Sequence, residues 1–292
     1  MSRIAILIII LSATLHAVWN FLVKRGNDKD ILVFFWWSVV FELSVFVPLV
    51  IYILYGSGVD PRGWYIVLGS GILSLLYWVF MANSYKCGDL SLVYPITRSS
   101  PIFISILAFS FFEERLSPLG VFGIFLVVIG IYIIPMHSLS FRNFIRPLSH
   151  LKNKAILFAV LAALSASFHH LVDKVGTRFF NPLVYVWLID FVGFIFLSLG
   201  IAFSEKRRFI RKEWSLNKWP AMVTGILIIC SYSLIVFVMR FEKISYIISM
   251  RQISIVFGVI LGNMLLKERY GLIRLIASCL IFAGVFSIGM AK

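Results

Sequence analysis

SATLHAVWN at Ser12–Asn20 and SASFHHLVD at Ser165–Asp173 are two copies of one segment, pairing His16 with His169 and Asn20 with Asp173. The match continues where LSLVYPITRSSPIF (Leu90–Phe103) lies over ISYIISMRQISIVF (Ile244–Phe257), and EERLSPLG (Glu113–Gly120) over KERYGLIR (Lys267–Arg274). Each copy sits in a half-chain with five apolar runs, the mark of an internal repeat. A unit with an odd number of crossings is followed by a copy that starts from the opposite side of the membrane. That predicts an inverted repeat around a site near the midplane. The expected fold class is an all-α integral membrane protein with ten transmembrane helices, arranged as two inverted five-helix repeats.

The runs fall at residues 2–23, 31–55, 63–84, 91–112 and 118–134, then 155–173, 182–203, 219–239, 245–266 and 271–289. Their lengths suit a hydrocarbon core of about 30 Å. They are continuously apolar, whereas a transmembrane barrel needs alternation. With 61% hydrophobic and 14% charged residues and a mean hydropathy of +0.97, the chain cannot cover a water-facing surface of its size. One membrane domain is expected: a first repeat over 1–135, a basic linker over 136–154 and a second repeat over 155–292. Arg3 precedes the first apolar run as in a signal peptide. No small-x-small cleavage site follows, so the helix is expected to be retained.

A net charge of +14 in a water-soluble chain would point to nucleic acid. Here the basic residues lie mainly between spans, where lipid headgroups account for them, and membrane lipids rather than nucleic acid are the expected partners. The basic stretch Ser204–Lys218 is expected to be a loop on anionic headgroups. One set of inter-span segments holds roughly twice the basic residues of the other, which by the positive-inside rule puts both termini outside. Cys87, Cys230 and Cys279 are too scattered for a disulfide framework or a metal set.

Polar residues inside the runs are the candidates for function, because a charge at membrane depth costs about 3 kcal/mol unless it faces protein or water. Arg98 stands between Pro95 and Pro101, which free the carbonyls of Ser91 and Thr97 and predict a broken helix. A guanidinium at such a break suits a carboxylate or phosphate. Arg251, with Gln252 beside it, is its counterpart. The repeat spacing shifts by one residue here, aligning Arg98 with Gln252 and Thr97 with Arg251. Tyr94, His16, Asn20 and Trp78 complete the expected substrate-binding set, with Tyr77 beside Trp78 as pathway lining or core filling. Glu42, Asp190, His169 and Asp173 are the expected proton-coupling residues, with His170 next to them. Counter-ion and hydrogen-bonding roles are the alternatives for these groups. No catalytic residue, metal site or cofactor is expected. Gly258 and Gly262 form a GxxxG, and Gly120, Gly123 and Gly130 recur in the fifth span, as helix-packing positions or dimer contacts.

LVYPITR followed by EERL, SYIISMRQ followed by KER, and HAVWN in the first helix resemble the EamA branch of the drug/metabolite transporter superfamily, over essentially the whole chain. The resemblance implies a ten-helix carrier of inverted five-helix repeats, often an exporter of amino acids or other metabolites. It also implies cytoplasmic termini, opposite to the charge rule. We expect a secondary transporter that exports a small anionic or zwitterionic metabolite by alternating access, with protons as counter-ion. A flippase for a lipid-linked phosphate is the alternative. No GxxxxGK[ST] loop is present, and neither HExxH nor GxSxG marks an enzyme. The expected setting is a cell membrane, the inner membrane of a bacterium, with the chain as monomer or homodimer.

Overall fold

The computed structural model describes all residues except 25–29, 58–59, 88–92, 94–95, 135, 137–153, 267–271 and 292, and the side chains of 24, 57 and 262–266 are not described either. Regular structure among the described residues is helical, without strands. In the first half α1 is Arg3–Lys24, α2 Ile31–Ser57, α3 Pro61–Cys87, α4 Ser100–Phe112 and α5 Pro118–Ile133. In the second, α6 is Lys154–Gly176, α7 Pro182–Ala202, α8 Ile210–Val238, α9 Ile244–Arg251, α10 Ile253–Leu266 and α11 Leu272–Met290. Among the described residues eight helical segments are long and apolar enough to cross a membrane, and α4 and α5 are shorter apolar helices. The 136–154 linker lies almost wholly outside the described residues.

Local chemistry sets several boundaries. Proline in the first helical turn needs no hydrogen-bond acceptor and carries a helical φ, and α5 and α7 both start this way, capped by Ser117 and Asn181. The Asp60 carboxylate accepts from the Arg62 amide at 2.9 Å, starting α3 at Pro61 rather than the expected Gly63. The basic stretch Ser204–Lys218 is not a loop: a 3-10 turn spans Glu205–Phe209 and α8 begins at Ile210. Ion pairing explains the order. Lys206 Nζ lies 2.5 Å from Asp30, and buried Glu213 accepts from the Asp30 amide and, at 2.7 Å, from Asn217 Nδ2. These contacts tie the segment to the start of α2. The helix kinks at Asn217, just before Pro220.

The halves pack with their roles exchanged. α3 lies on α6 as α8 lies on α1, α2 on α8 as α7 on α3, and α4 on α6 as α10 on α1. α2 also meets α7, and α5 meets α11, each helix against its own counterpart. The same helix pairings thus recur with the two halves interchanged.

Glycines allow the closest approaches. A Cβ on Gly123 would lie 2.7 Å from the Gly284 carbonyl oxygen, and one on Gly130 2.8 Å from that of Ala277, so α5 and α11 touch backbone to backbone. Gly225 brings α8 against the Ser38 carbonyl on α2 in the same way. Gly120 is covered by the Tyr246 ring. Gly258 faces open space, so this half of the expected GxxxG makes no close contact among the described residues, and Gly262 lies outside the described side chains. Gly123→Ala is therefore expected to cost about 1 to 3 kcal/mol of stability. Gly258→Ala should stay within about 0.5 kcal/mol. Thermal unfolding of the two purified variants checks the contrast.

Candidate functional site

Both arginines stand at helix breaks. In the second half the ninth run divides at Gln252: α9 ends at Arg251 and α10 starts at Ile253, with no proline present. In the first half Arg98 and Ser99 leave the helix before α4 begins at Ser100. Two tight backbone bonds mark each break. Ser99 donates to the Ile96 carbonyl and Ile102 to that of Ser99; likewise Gln252 donates to Ser249 and Ile255 to Gln252. The offset from Ser99 to Gln252 equals that from His16 to His169, so one register runs from the first match as far as these breaks. Arg98 therefore corresponds to Arg251 itself, which corrects the one-residue shift expected from the sequence.

The two guanidiniums lie within electrostatic reach of each other and of His16. Arg251 Nη2 is 3.3 Å from His16 Nδ1, and the guanidinium carbon stands 5.1 Å from the centre of the Tyr232 ring. Its Nε is buried with no hydrogen-bond acceptor, and among the described residues no ion pair joins Arg251 to a carboxylate. Gln252 is buried beside it. The other expected binding residues divide. Asn20 turns back to the His16 carbonyl at 2.7 Å, Trp78 is half-exposed against Phe35 and Tyr77, and Tyr94 lies outside the described residues.

Asp173 gathers donors from several helices at once. It is fully buried; Ser70 Oγ donates to Oδ1 at 2.5 Å and Tyr185 Oη at 3.1 Å. Tyr232 Oη donates to Oδ2, and His169 Nδ1 lies 2.8 Å from the same oxygen. His170 Nδ1 stands 3.8 Å from Oδ2 and 3.0 Å from Tyr232 Oη. Ser70, Tyr185 and Tyr232 come from α3, α7 and α8, and sequence reasoning missed all three. Their only advance signal is polarity inside apolar runs, which many other residues share. His169, His170 and Asp173 offer three ligand atoms close enough to hold a metal ion. The carboxylate's lone pairs already accept from neighbouring donors, so the cluster satisfies itself as a hydrogen-bond network.

Glu42 on α2 and Asp190 on α7 meet each other. Their carboxyls are within hydrogen-bonding reach, while both Glu42 oxygens and Asp190 Oδ2 lack a donor from elsewhere among the described residues. Asp190 is also within electrostatic reach of His169 and Asp173. The polar residues thus form one belt, acidic at the α2–α7 seam and basic at the helix breaks.

EERL ties helices of both halves together. Glu113 takes a left-handed backbone (φ 53°), ending α4 and turning Glu114 inward. Buried Glu114 accepts from the Ile244 amide at 2.8 Å and Ser245 Oγ at 2.9 Å, capping α9, and pairs with Lys174 Nζ at 2.6 Å. The motif joins the first half to the second at α6 and α9.

Replacing Asp173 by Asn removes the charge that four donors share. The change is expected to cost about 2 kcal/mol or more of stability. Asn20→Ala, at the equivalent position, should cost well under half of that, since its amide serves only its own helix; chemical denaturation of both variants checks the difference.

Comparison with known proteins supports the same frame. A sequence model described as the EamA-like transporter family matches residues 3–136 and again 153–290. Solute carrier family 35 member G1 of Homo sapiens is 30% identical over 131 residues, covering 43% of this chain and 34% of that protein. The match thus spans about a third of this relative's length. Its Mus musculus counterpart is 24% identical over 269 residues, covering 86% of this chain and 68% of the relative. A solved crystal structure shares the fold with a TM-score of 0.74 at 15% identity, covering 99% of this chain and 97% of that one. With both halves matched, the chain belongs to the EamA-like transporter family, a family of multi-pass membrane transporters.

Proposed function

We propose that this protein is a ten-span secondary carrier of two inverted five-helix repeats, which moves a small organic anion across the membrane by alternating access. The observation that carries the reading is Arg251. It is a guanidinium at a helix break, beside Arg98 and His16, with its Nε unsatisfied and no carboxylate paired to it among the described residues. Two like charges held together in low dielectric repel each other. An anion between them relieves that repulsion and supplies the missing acceptor.

Proton coupling belongs to the Glu42–Asp190 pair. Two carboxyls in contact, with both Glu42 oxygens and Asp190 Oδ2 lacking another donor among the described residues, are satisfied when they share a proton. Asp190 lies next to the His169–Asp173 network, and that network reaches Arg251 through Tyr232. The direction we assign is export in exchange for protons, in the inner membrane of a bacterium. Glu114, held by α9 and Lys174, forms the closure that opens when the repeats rock.

Transport of a labelled anion into liposomes tests the site. Arg98→Ala and Arg251→Ala are each expected to reduce it about a hundredfold while the protein still purifies as a folded species. Normal rates in both would remove the anion site. Lipid phosphates competing where soluble anions do not would shift the reading to a flippase. In the same liposomes, Glu42→Gln with Asp190→Asn should make transport indifferent to an imposed pH gradient; unchanged dependence would move coupling elsewhere.

A further inference from the structure

The aromatic residues beside the arginine site form a continuous series of ring contacts. His16, which contacts Arg251, meets the Trp19 ring edge-on at 4.7 Å. Trp19 meets Phe35 at 6.2 Å, Phe35 meets Trp78 at 5.9 Å, and Trp78 meets Tyr77 at 5.4 Å. Tyr77 is also within electrostatic reach of Arg251. The series draws on α1, α2 and α3 and meets α9 where His16 contacts Arg251.

These rings stand apart from the main apolar clusters. Trp19, Phe35, Tyr77 and Trp78 belong to none of the apolar clusters among the described residues, and Trp78, like several other apolar residues of α3, is exposed, at 46%. Trp19 adds an independent sign. It is 9% exposed, and its indole Nε1–H is buried without an acceptor. An indole buried in a finished core finds a partner for that proton.

We propose that the carried anion bears an aromatic or heteroaromatic ring: an aryl carboxylate or aryl phosphate whose charged group meets Arg251 while its ring lies among Trp19, Phe35, Tyr77 and Trp78. The proposal rests on the anion-carrier reading above. The ring presents its face or edge to the aromatic side chains at the roughly 4.5 to 7 Å spacing typical of aromatic pairs. An acceptor on the substrate takes the Trp19 proton. Asp173, the carboxylate within electrostatic reach of Arg251, is already engaged by Ser70, Tyr185, Tyr232 and His169 and offers an ammonium no open acceptor. That favours an anion over a zwitterion.

Thermal shift of the purified full chain tests the ring directly, since a ligand raises apparent stability by mass action. The probes are benzoate against acetate and phenyl phosphate against methyl phosphate, each titrated on the unaltered protein, Trp19→Phe, Trp78→Ala and Arg251→Ala. Trp19→Phe keeps an aromatic ring while removing the N–H together with the indole's five-membered ring, and Trp78 is exposed enough for its removal to be tolerated. The ringed anions are expected to act at about tenfold lower concentration than the ringless ones. Trp78→Ala should shrink that preference, Trp19→Phe should weaken binding, and Arg251→Ala should abolish the response to every probe. Equal potency of ringed and ringless anions, both lost in Arg251→Ala, overturns the ring and leaves the anion site standing. A ring preference untouched in both tryptophan variants also overturns this assignment. Silence from all four anions removes the anion site together with the ring.

Discussion

Charge buried at membrane depth is the constraint on which the rest of this structure depends. Hydrocarbon supplies no hydrogen bonds, so each polar group within the bundle must be answered by another part of the chain. Asp173 is answered by donors from α3, α6, α7 and α8 at once. Those four helices are therefore held at one point by the needs of a single carboxylate. The apolar residues around it supply bulk, but they have no comparable directional demand.

The arginines are handled differently. Arg98 and Arg251 sit where the backbone itself leaves the helix, and an interrupted helix presents polar groups that only a protein-lined or wet interior tolerates. Arg251 is steadied by His16 and by the face of Tyr232 rather than by a carboxylate. Tyr232 also donates to Asp173, so one phenol touches both the satisfied acid and the unsatisfied base. Movement at either would be felt at the other through a single side chain.

The backbone-to-backbone seam between α5 and α11 is built from glycines and aliphatic side chains. It differs from the α2–α7 seam, where Trp187 Nε1 donates to the Leu43 carbonyl and Glu42 meets Asp190. One contact between counterpart helices is apolar and tight; the other is polar.

Much of this was legible in the chain alone. Hydropathy and the copied segments pointed to an all-helical membrane protein built from a repeat, because both properties are local and survive divergence. The prolines around Arg98 announced one helix break. The break at Gln252 has no proline to announce it and became visible only from its hydrogen bonds, which also set the register between the halves. Likewise, sequence named His169 and Asp173 but not Ser70, Tyr185 or Tyr232, since a serine or tyrosine in an apolar run looks alike whether it meets a carboxylate or lipid. By itself the sequence determined where the apolar helices lie, where charge is buried and that the chain is duplicated. Only the tertiary structure decided which buried charges are satisfied and which lack a partner, because that depends on distances between helices far apart along the chain.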